Sequence, residues 1–348
     1  METIRLGKTD MMVSKLGIGG IPIQRASEGE AVAVVRRCLE LGINFIDTAN
    51  AYTISEEYIG KAISGRREGL ILATKSTSRT SDGIESHLEL SLKRLGVESI
   101  DLYQLHGVND FDAYAKVLNP DGPMATVQEA KRAGKVKHIG ITSHSMDVAK
   151  EAVKSDRFET IMFPFNFIVR EAADELLPLA REHDVGFIAM KPLAGGMLTN
   201  VTIAFKYLFQ FPDVVSIPGI QKIPEIEEIV QVLAEPRSIT EAEQSEMQRF
   251  REELGTRFCR RCDYCQPCSE EIPISIVMVS ASFAKLEPPA NLFSGWIAKA
   301  MEKAANCTEC GECEERCPYH LPIREMIAEQ VKWYQAEKSK YQKRLAST

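Results

Sequence analysis

Gly42-Ile43-Asn44-Phe45-Ile46-Asp47-Thr48-Ala49-Asn50-Ala51-Tyr52 holds a short apolar run that stops at an acid, with a tyrosine soon after it. Asn44, Phe45 and Ile46 read as the end of a buried strand, which places Asp47 where the strand emerges and Tyr52 on the loop beyond. Two later runs end the same way. Leu70-Ile71-Leu72-Ala73-Thr74 leads into Lys75, and Ile100-Asp101-Leu102-Tyr103-Gln104-Leu105 leads into His106. Taken singly, a histidine is usually a satisfied core or surface group and a lysine a solvated one. An acid, a phenol, an amine and an imidazole on three consecutive units point instead to one shared site.

Working outward, apolar runs end near Gly19, Asp47, Lys75, His106, Ser143, Asn166, Lys191 and Pro218. Amphipathic stretches at 28–41, 56–63, 84–95, 127–133, 148–154, 172–183 and 225–234 separate them. The strand ends recur roughly every 30 residues, the length of one strand, one helix and two loops. Runs apolar on both faces suit a parallel sheet. Eight βα units predict an α/β fold, a (β/α)8 TIM barrel, whose C-terminal face would carry Asp47, Tyr52, Lys75 and His106. The segment between Lys191 and Val214 is short for a full seventh helix.

With 348 residues, 44% hydrophobic and 26% charged, the chain has length for a large core and two or three domains at most. A formal net charge of −7 offers no basic field for nucleic acid. No apolar stretch approaches the roughly 20 residues of a membrane span. Met1-Glu2-Thr3-Ile4-Arg5-Leu6 lacks the basic and then apolar profile of a signal peptide, so a cytoplasmic enzyme is expected.

Of the 9 cysteines, Cys38 stands alone on an apolar helix face and is expected to be buried and inert. The others form two runs, Cys259-x-x-Cys262-x-x-Cys265-x-x-Cys268 and Cys307-x-x-Cys310-x-x-Cys313-x-x-x-Cys317-Pro318. Their flanks repeat as well: Cys268-Ser269-Glu270-Glu271-Ile272-Pro273-Ile274 echoes Cys317-Pro318-Tyr319-His320-Leu321-Pro322-Ile323. A reducing compartment disfavours a disulfide framework. Zinc usually takes paired knuckles well separated in sequence. The runs match instead the bacterial ferredoxin pattern, whose fourth cysteine ligates the other cluster. Two [4Fe-4S] clusters are therefore expected, one on Cys259, Cys262, Cys265 and Cys317, the other on Cys307, Cys310, Cys313 and Cys268. Between the runs, 275–286 and 290–305 read as helices broken by Pro288-Pro289, and 323–345 as a long helix. Its basic end at Lys338, Lys340, Lys343 and Arg344 suits a helix C-terminus. The junction falls after the charged helical pattern 240–254, giving domains 1–255 and 256–348.

The stretch from Gly42 to Tyr52 resembles the signature of the aldo-keto reductase family, with Ala73-Thr74-Lys75 similar to its lysine strand and Asp101-Leu102-Tyr103-Gln104-Leu105-His106 to its histidine strand. The likeness continues through Ile139-Gly140-Ile141-Thr142-Ser143-His144, Phe165-Asn166, Lys191-Pro192-Leu193-Ala194-Gly195-Gly196 and Ile217-Pro218-Gly219. With its cysteine runs the chain resembles an iron-sulfur-containing branch of that family, and 256–348 an α-helical ferredoxin-like domain. The resemblance implies a TIM barrel that reduces carbonyls with a nicotinamide cofactor. It makes Tyr52 the proton donor, Lys75 the ammonium that lowers its pKa, Asp47 the anion that keeps Lys75 charged, and His106 the group that orients the carbonyl. It places nicotinamide near Ser143 and Asn166 and pyrophosphate near Lys191, Leu193, Gly195 and Gly196. The adenosine end falls at Gly219, Lys222 and Glu225. No G-x-G-x-x-G follows a strand. Glu225 and Ile229 depart from the NADP-specific pattern, so NADH and NADPH both stay open, with NADH expected to bind at least as well.

Three roles follow from these parts. The barrel acts on a small-molecule carbonyl or alcohol while the clusters exchange electrons with a redox partner protein. Alternatively the clusters staple a docking module onto an ordinary reductase. The third, an electron carrier on a dead barrel, sits poorly with the complete set Asp47, Tyr52, Lys75 and His106. Clusters move one electron and hydride carries two, so direct coupling needs a flavin or another one-electron carrier.

Overall fold

The structure, a computed structural model, describes residues 1–346. It divides into two compact units, Met1–Gln244 and a second that starts at Ser245. The first unit opens with a feature the sequence reading lacked, an antiparallel hairpin of β1 (Thr3–Arg5) and β2 (Met12–Ser14). Strands of three residues are too short to show a period.

Eight parallel strands follow: β3 (Ile18–Gly19), β4 (Phe45–Asp47), β5 (Ile71–Ser76), β6 (Ile100–Leu105), β7 (Val136–Thr142), β8 (Thr160–Pro164), β9 (Gly186–Met190) and β10 (Val214–Ile217). They pair in sequence order. Parallel bridges from Leu16 to Ser216 and from Gly19 to Gly219 bring the first edge to the last. The result is a (β/α)8 barrel whose strands end where the apolar runs end. Alternate residues fill its interior: Phe45, Ala73, Leu102, Met162, Ile188, Val215 and Ile217 pack with Leu6 and Val13 of the hairpin. Gly186, at the start of β9, is a close approach. A Cβ there would lie 2.7 Å from Leu6.

The outer helices are α1 (Glu28–Glu40), α2 (Ser55–Ile63), α3 (Ser81–Leu95), α4 (Phe111–Leu118), α5 (Pro123–Arg132), α6 (Met146–Lys154), α7 (Glu171–Asp174), α8 (Leu176–Glu182), α9 (Val201–Leu208) and α10 (Ile223–Ala234). Polar caps start several of them. Ser27 and Glu30 form a capping box on α1, Thr80 caps α3 and Ser145 caps α6. The seventh helix exists after all, because Asn200 accepts from the Ile203 N–H at 3.1 Å and opens α9. The stretch 172–183 breaks at Glu175 into α7 and α8. Cys38 is fully buried, and burial pushes its thiol up to about 12.

Helix α11 (Glu241–Gly255) spans the division between the units. Beyond it lie α12 (Ile274–Val277), α13 (Ser280–Phe283), α14 (Pro289–Ser294), α15 (Trp296–Ala304), α16 (Glu312–Glu315) and α17 (Ile323–Ala346). These surround a separate core that includes Ile274, Val277, Leu292, Ile297, Met301, Ile323 and Ile327. The single helices anticipated at 275–286 and 290–305 are each two. Gly295 separates α14 from α15 at a point where a Cβ would lie 2.7 Å from the Asn291 carbonyl oxygen.

The two [4Fe-4S] clusters expected on Cys259, Cys262, Cys265, Cys268, Cys307, Cys310, Cys313 and Cys317 require correction. Among the described residues, no group of three or more His, Cys, Asp or Glu side chains is arranged to hold a metal ion. Cys259, Cys262, Cys265 and Cys317 line one cavity and Cys268, Cys307, Cys310 and Cys313 another. Cys265 and Cys317 are buried in the second core as small apolar side chains. Burial pushes the Cys262 thiol up to about 11 and raises Cys265 and Cys313 too. The iron-sulfur branch, the ferredoxin-like assignment, metal binding, electron transfer and the redox partner rested on those clusters and go with them.

Candidate active site

Parallel pairing brings the ends of β4, β5 and β6 side by side. Asp47 is the last residue of β4, Lys75 lies one residue from the end of β5, and His106 directly follows β6. Lys75 and Asp47 are each 2% exposed, inside the barrel. Lys75 Nζ donates to Asp47 Oδ2 and, at 2.8 Å, to the Thr48 carbonyl. A buried ion pair of this kind stays charged only where further hydrogen bonds satisfy it. Asp47 Oδ1 finds its donor in Gln104 Nε2 at 2.8 Å.

Tyr52 reaches the pair from the loop after β4. Lys75 Nζ lies 5.1 Å from the centre of its ring. The His106 ring stands edge-on to Tyr52, with centroids 6.1 Å apart and an interplanar angle of 86°. Burial works to strip the proton from Lys75. The Asp47 charge and the Tyr52 phenol outweigh it and hold the ammonium above the usual lysine range.

The loop bearing Tyr52 is tied at several points. Thr48 N–H donates to the Ala73 carbonyl at 2.8 Å and Asn50 N–H to the Lys75 carbonyl at 3.0 Å. Asn50 Nδ2 donates to the His87 carbonyl at 3.2 Å, and Arg94 donates to the Asn50 carbonyl at 3.2 Å. On the other side, Arg79 donates to the carbonyls of His106 at 2.8 Å and Gly107 at 2.9 Å. Gln104, Asn50, Arg79 and Arg94 were not singled out from sequence. Only Gln104 left a signal there, as an amide within a wholly buried strand.

The positions expected to meet a cofactor lie beyond the later strands, on the same face. Ser143 follows β7, and its hydroxyl donates to the Ser145 carbonyl at 3.2 Å and accepts from the Ser145 N–H at 3.0 Å. Asn166, beyond β8, donates to the Lys191 carbonyl at 2.9 Å and accepts from the N–H groups of Ile168 and Val169, both at 2.9 Å. Both side chains therefore shape the loops they sit on. After β9 the chain coils tightly: Lys191, Ala194, Gly195 and Gly196 all have positive φ, and Leu193 accepts from the Gly196 N–H at 2.8 Å. Gly219 is exposed beside Gly19. Lys222 precedes α10, and Glu225 turns back on that helix start, accepting from the N–H groups of Gln221 at 2.7 Å and Lys222 at 3.0 Å.

Comparison with known proteins adds to this geometry. The profile of the "Aldo/keto reductase family" matches residues 15–202. The uncharacterized oxidoreductase YqkF of Bacillus subtilis is 35% identical over 58% of this chain and 67% of its own length. The L-galactose dehydrogenase of Arabidopsis thaliana is 31% identical over 58% of this chain and 68% of its own. An aldo-keto reductase from Bacillus halodurans, solved in its holo form, superposes with a TM-score of 0.63 at 27% identity, covering 72% of this chain and 96% of that one. The chain belongs to the aldo/keto reductase family and is an NAD(P)-dependent oxidoreductase of that kind.

Proposed function

We propose that the barrel interconverts a small-molecule carbonyl and its alcohol, with Tyr52 giving a proton to the substrate oxygen in reduction and taking it back in oxidation. The observation that carries this reading is the buried Lys75 ammonium, held by Asp47, 5.1 Å from the centre of the Tyr52 ring. When bound, the nicotinamide cofactor supplies the hydride. As the carbonyl bond opens, negative charge gathers on oxygen. The Tyr52 O–H bond breaks as the new O–H bond forms, and Lys75 stabilises the phenolate left behind. A phenol with an ordinary pKa of about 10 is a poor acid at neutral pH, and a fixed ammonium beside it corrects that. His106, edge-on to Tyr52, orients the carbonyl oxygen between them.

Ser143 and Asn166 would flank the nicotinamide. The coiled loop at Lys191, Leu193, Gly195 and Gly196 would meet the pyrophosphate, as turn backbone does in anion-binding nests. Gly219, Lys222 and Glu225 would meet the adenosine end. The Glu225 carboxylate already satisfies the start of α10, which favours NADH over a cofactor with a 2′-phosphate. We also propose 1–255 and 256–348 as the two domains, to be read from whether limited proteolysis cuts near residue 255.

The test is Tyr52→Phe, assayed with NADH and NADPH against a panel of aldehydes, ketones and aldoses. Turnover should fall by about 10²–10⁴-fold, the usual worth of a positioned acid, while nucleotide binding followed by fluorescence is unchanged. Retention of most turnover would remove Tyr52 from the reaction.

A further inference from the structure

Inside the barrel, β6 carries an amide, Gln104, paired with Lys75 on β5 and with Gly140 on β7. Gln104 is fully buried. Its Nε2 donates to Asp47 Oδ1 at 2.8 Å, while its Oε1 is buried without a hydrogen-bond partner among the described residues. A buried amide with one end unsatisfied costs stability, and an apolar residue of the same size would avoid that cost. Gly140 is paired opposite on β7, where a Cβ would lie 2.3 Å from Thr160 Oγ1 and 3.1 Å from Gln104 Cγ, so the amide packs against bare backbone on that side. Packing does not account for the amide. Its one hydrogen bond does.

That bond falls on the half of Asp47 that Lys75 leaves free. Lys75 takes Oδ2 and Gln104 takes Oδ1, so both carboxylate oxygens have donors. Without Gln104, Oδ1 would be a buried anionic oxygen lacking a partner. The cheapest relief is transfer of the Lys75 proton to Asp47, which leaves a neutral pair. An uncharged Lys75 no longer stabilises phenolate. The titratable groups facing this cluster are Asp47 from β4, Tyr52 from the loop after it, Lys75 from β5 and His106 from the end of β6.

We propose that Gln104 is a positioning residue for the proton donor: by holding Asp47 Oδ1 it keeps the Asp47–Lys75 pair ionised, and through Lys75 it keeps a positive charge beside Tyr52. The inference rests on the assignment of Tyr52 under the proposed function. It enlarges the working set by a residue that need not touch substrate or cofactor.

The experiment is a titration of the whole protein carrying [13Cζ]tyrosine, followed by NMR, with the Tyr52 signal identified by its loss in Tyr52→Phe. In the unsubstituted protein Tyr52 should lose its proton below the ordinary phenol value of about 10. In Gln104→Met, which keeps the volume, it should titrate higher by about one pH unit, a tenfold change in the ionisation constant. Gln104→Glu should fall between the two, because one carboxyl of a close pair retains a proton and can donate it to Oδ1. Should Gln104→Met fail to fold, the upward shift in Gln104→Glu carries the same reading. Titration of Tyr52 at the same pH in all folded variants would show Gln104 to be packing only and overturn the inference. An ordinary value in the unsubstituted protein would instead overturn the assignment of Tyr52 itself, and Gln104 with it.

Discussion

The barrel buries two lysines, one at each end of its strands, and treats them oppositely. Lys75 sits at the C-terminal end with a carboxylate, a carbonyl and a phenol around it, and is held above the usual lysine range against the pull of burial. Lys15, fully buried just ahead of β3, reaches the Phe209 carbonyl at 3.1 Å, at the end of α9, and lies over the Phe209 ring. Burial dominates there and lowers it, with Glu2 and Asp213 opposing too weakly to reverse the sign. A carbonyl satisfies a hydrogen bond without supplying a countercharge. Burial alone does not make a lysine useful; a full negative charge in contact decides whether its proton is held more or less tightly than usual. The C-terminal face of such barrels carries chemistry and the opposite face stability, and the two lysines divide along that line.

The most severe way to break the comparison is to remove each in turn. Lys75→Met should lower turnover by about 10²–10⁴-fold in a protein that still folds, since methionine fills the space without charge. Lys15→Met should leave turnover within about twofold of the starting protein, since a change far from the reacting groups moves the barrier by less than about 1 kcal/mol. Comparable losses from both would dissolve the distinction.

Stability sharpens it next. A lysine lowered on folding binds its proton less readily in the native state than in the unfolded chain, so its penalty is full below the lowered value. The penalty fades as pH rises from the lowered value towards the ordinary lysine pKa of about 10.4. Lys15→Met should therefore match or exceed the stability of the starting protein near pH 7, by about 1 kcal/mol, after loss of one hydrogen bond to a carbonyl. That advantage should shrink in thermal melts as pH is raised towards 10.4. An advantage that grew with pH would mean that Lys15 is raised, like Lys75.

The smallest effect concerns a charge on the active face that serves the backbone. Glu225 caps α10, so Glu225→Gln should cost about 0.5–1 kcal/mol in stability, the worth of a charge at a helix start. It should also improve NADPH binding relative to NADH by a few-fold, an effect damped at high salt because the group is exposed. A strong NADPH preference in the unsubstituted protein would place the 2′-phosphate beside Lys222, clear of Glu225.

Much of this was legible in sequence because the signals were long or paired. The strand ends at Asp47, Lys75 and His106 showed as apolar runs closed by one polar residue, and the barrel followed from their recurrence. The β1–β2 hairpin was not legible, since three-residue strands leave no period to count. Nor were the breaks at Glu175 and Gly295, which depend on local backbone geometry within helical composition. Gln104 was visible only as an amide in an apolar strand, and its partner Asp47 lies on another strand. Register, which sequence spacing does not set, brings the two together. The cysteine runs mark the opposite limit: the spacing is plain, but whether sulfurs converge on a metal depends on tertiary placement, and here they line two cavities.

The central claim is that Lys75 is an ammonium because of Asp47, whereas Lys15, equally buried, is not so held. It is tested most directly by NMR titration of the protein carrying [13Cε]lysine, with the two signals assigned from Lys75→Met and Lys15→Met. Lys75 should keep its proton beyond the ordinary value of about 10.4, and Lys15 should lose its proton below it. Both lysines titrating together, or Lys75 first, would contradict the account.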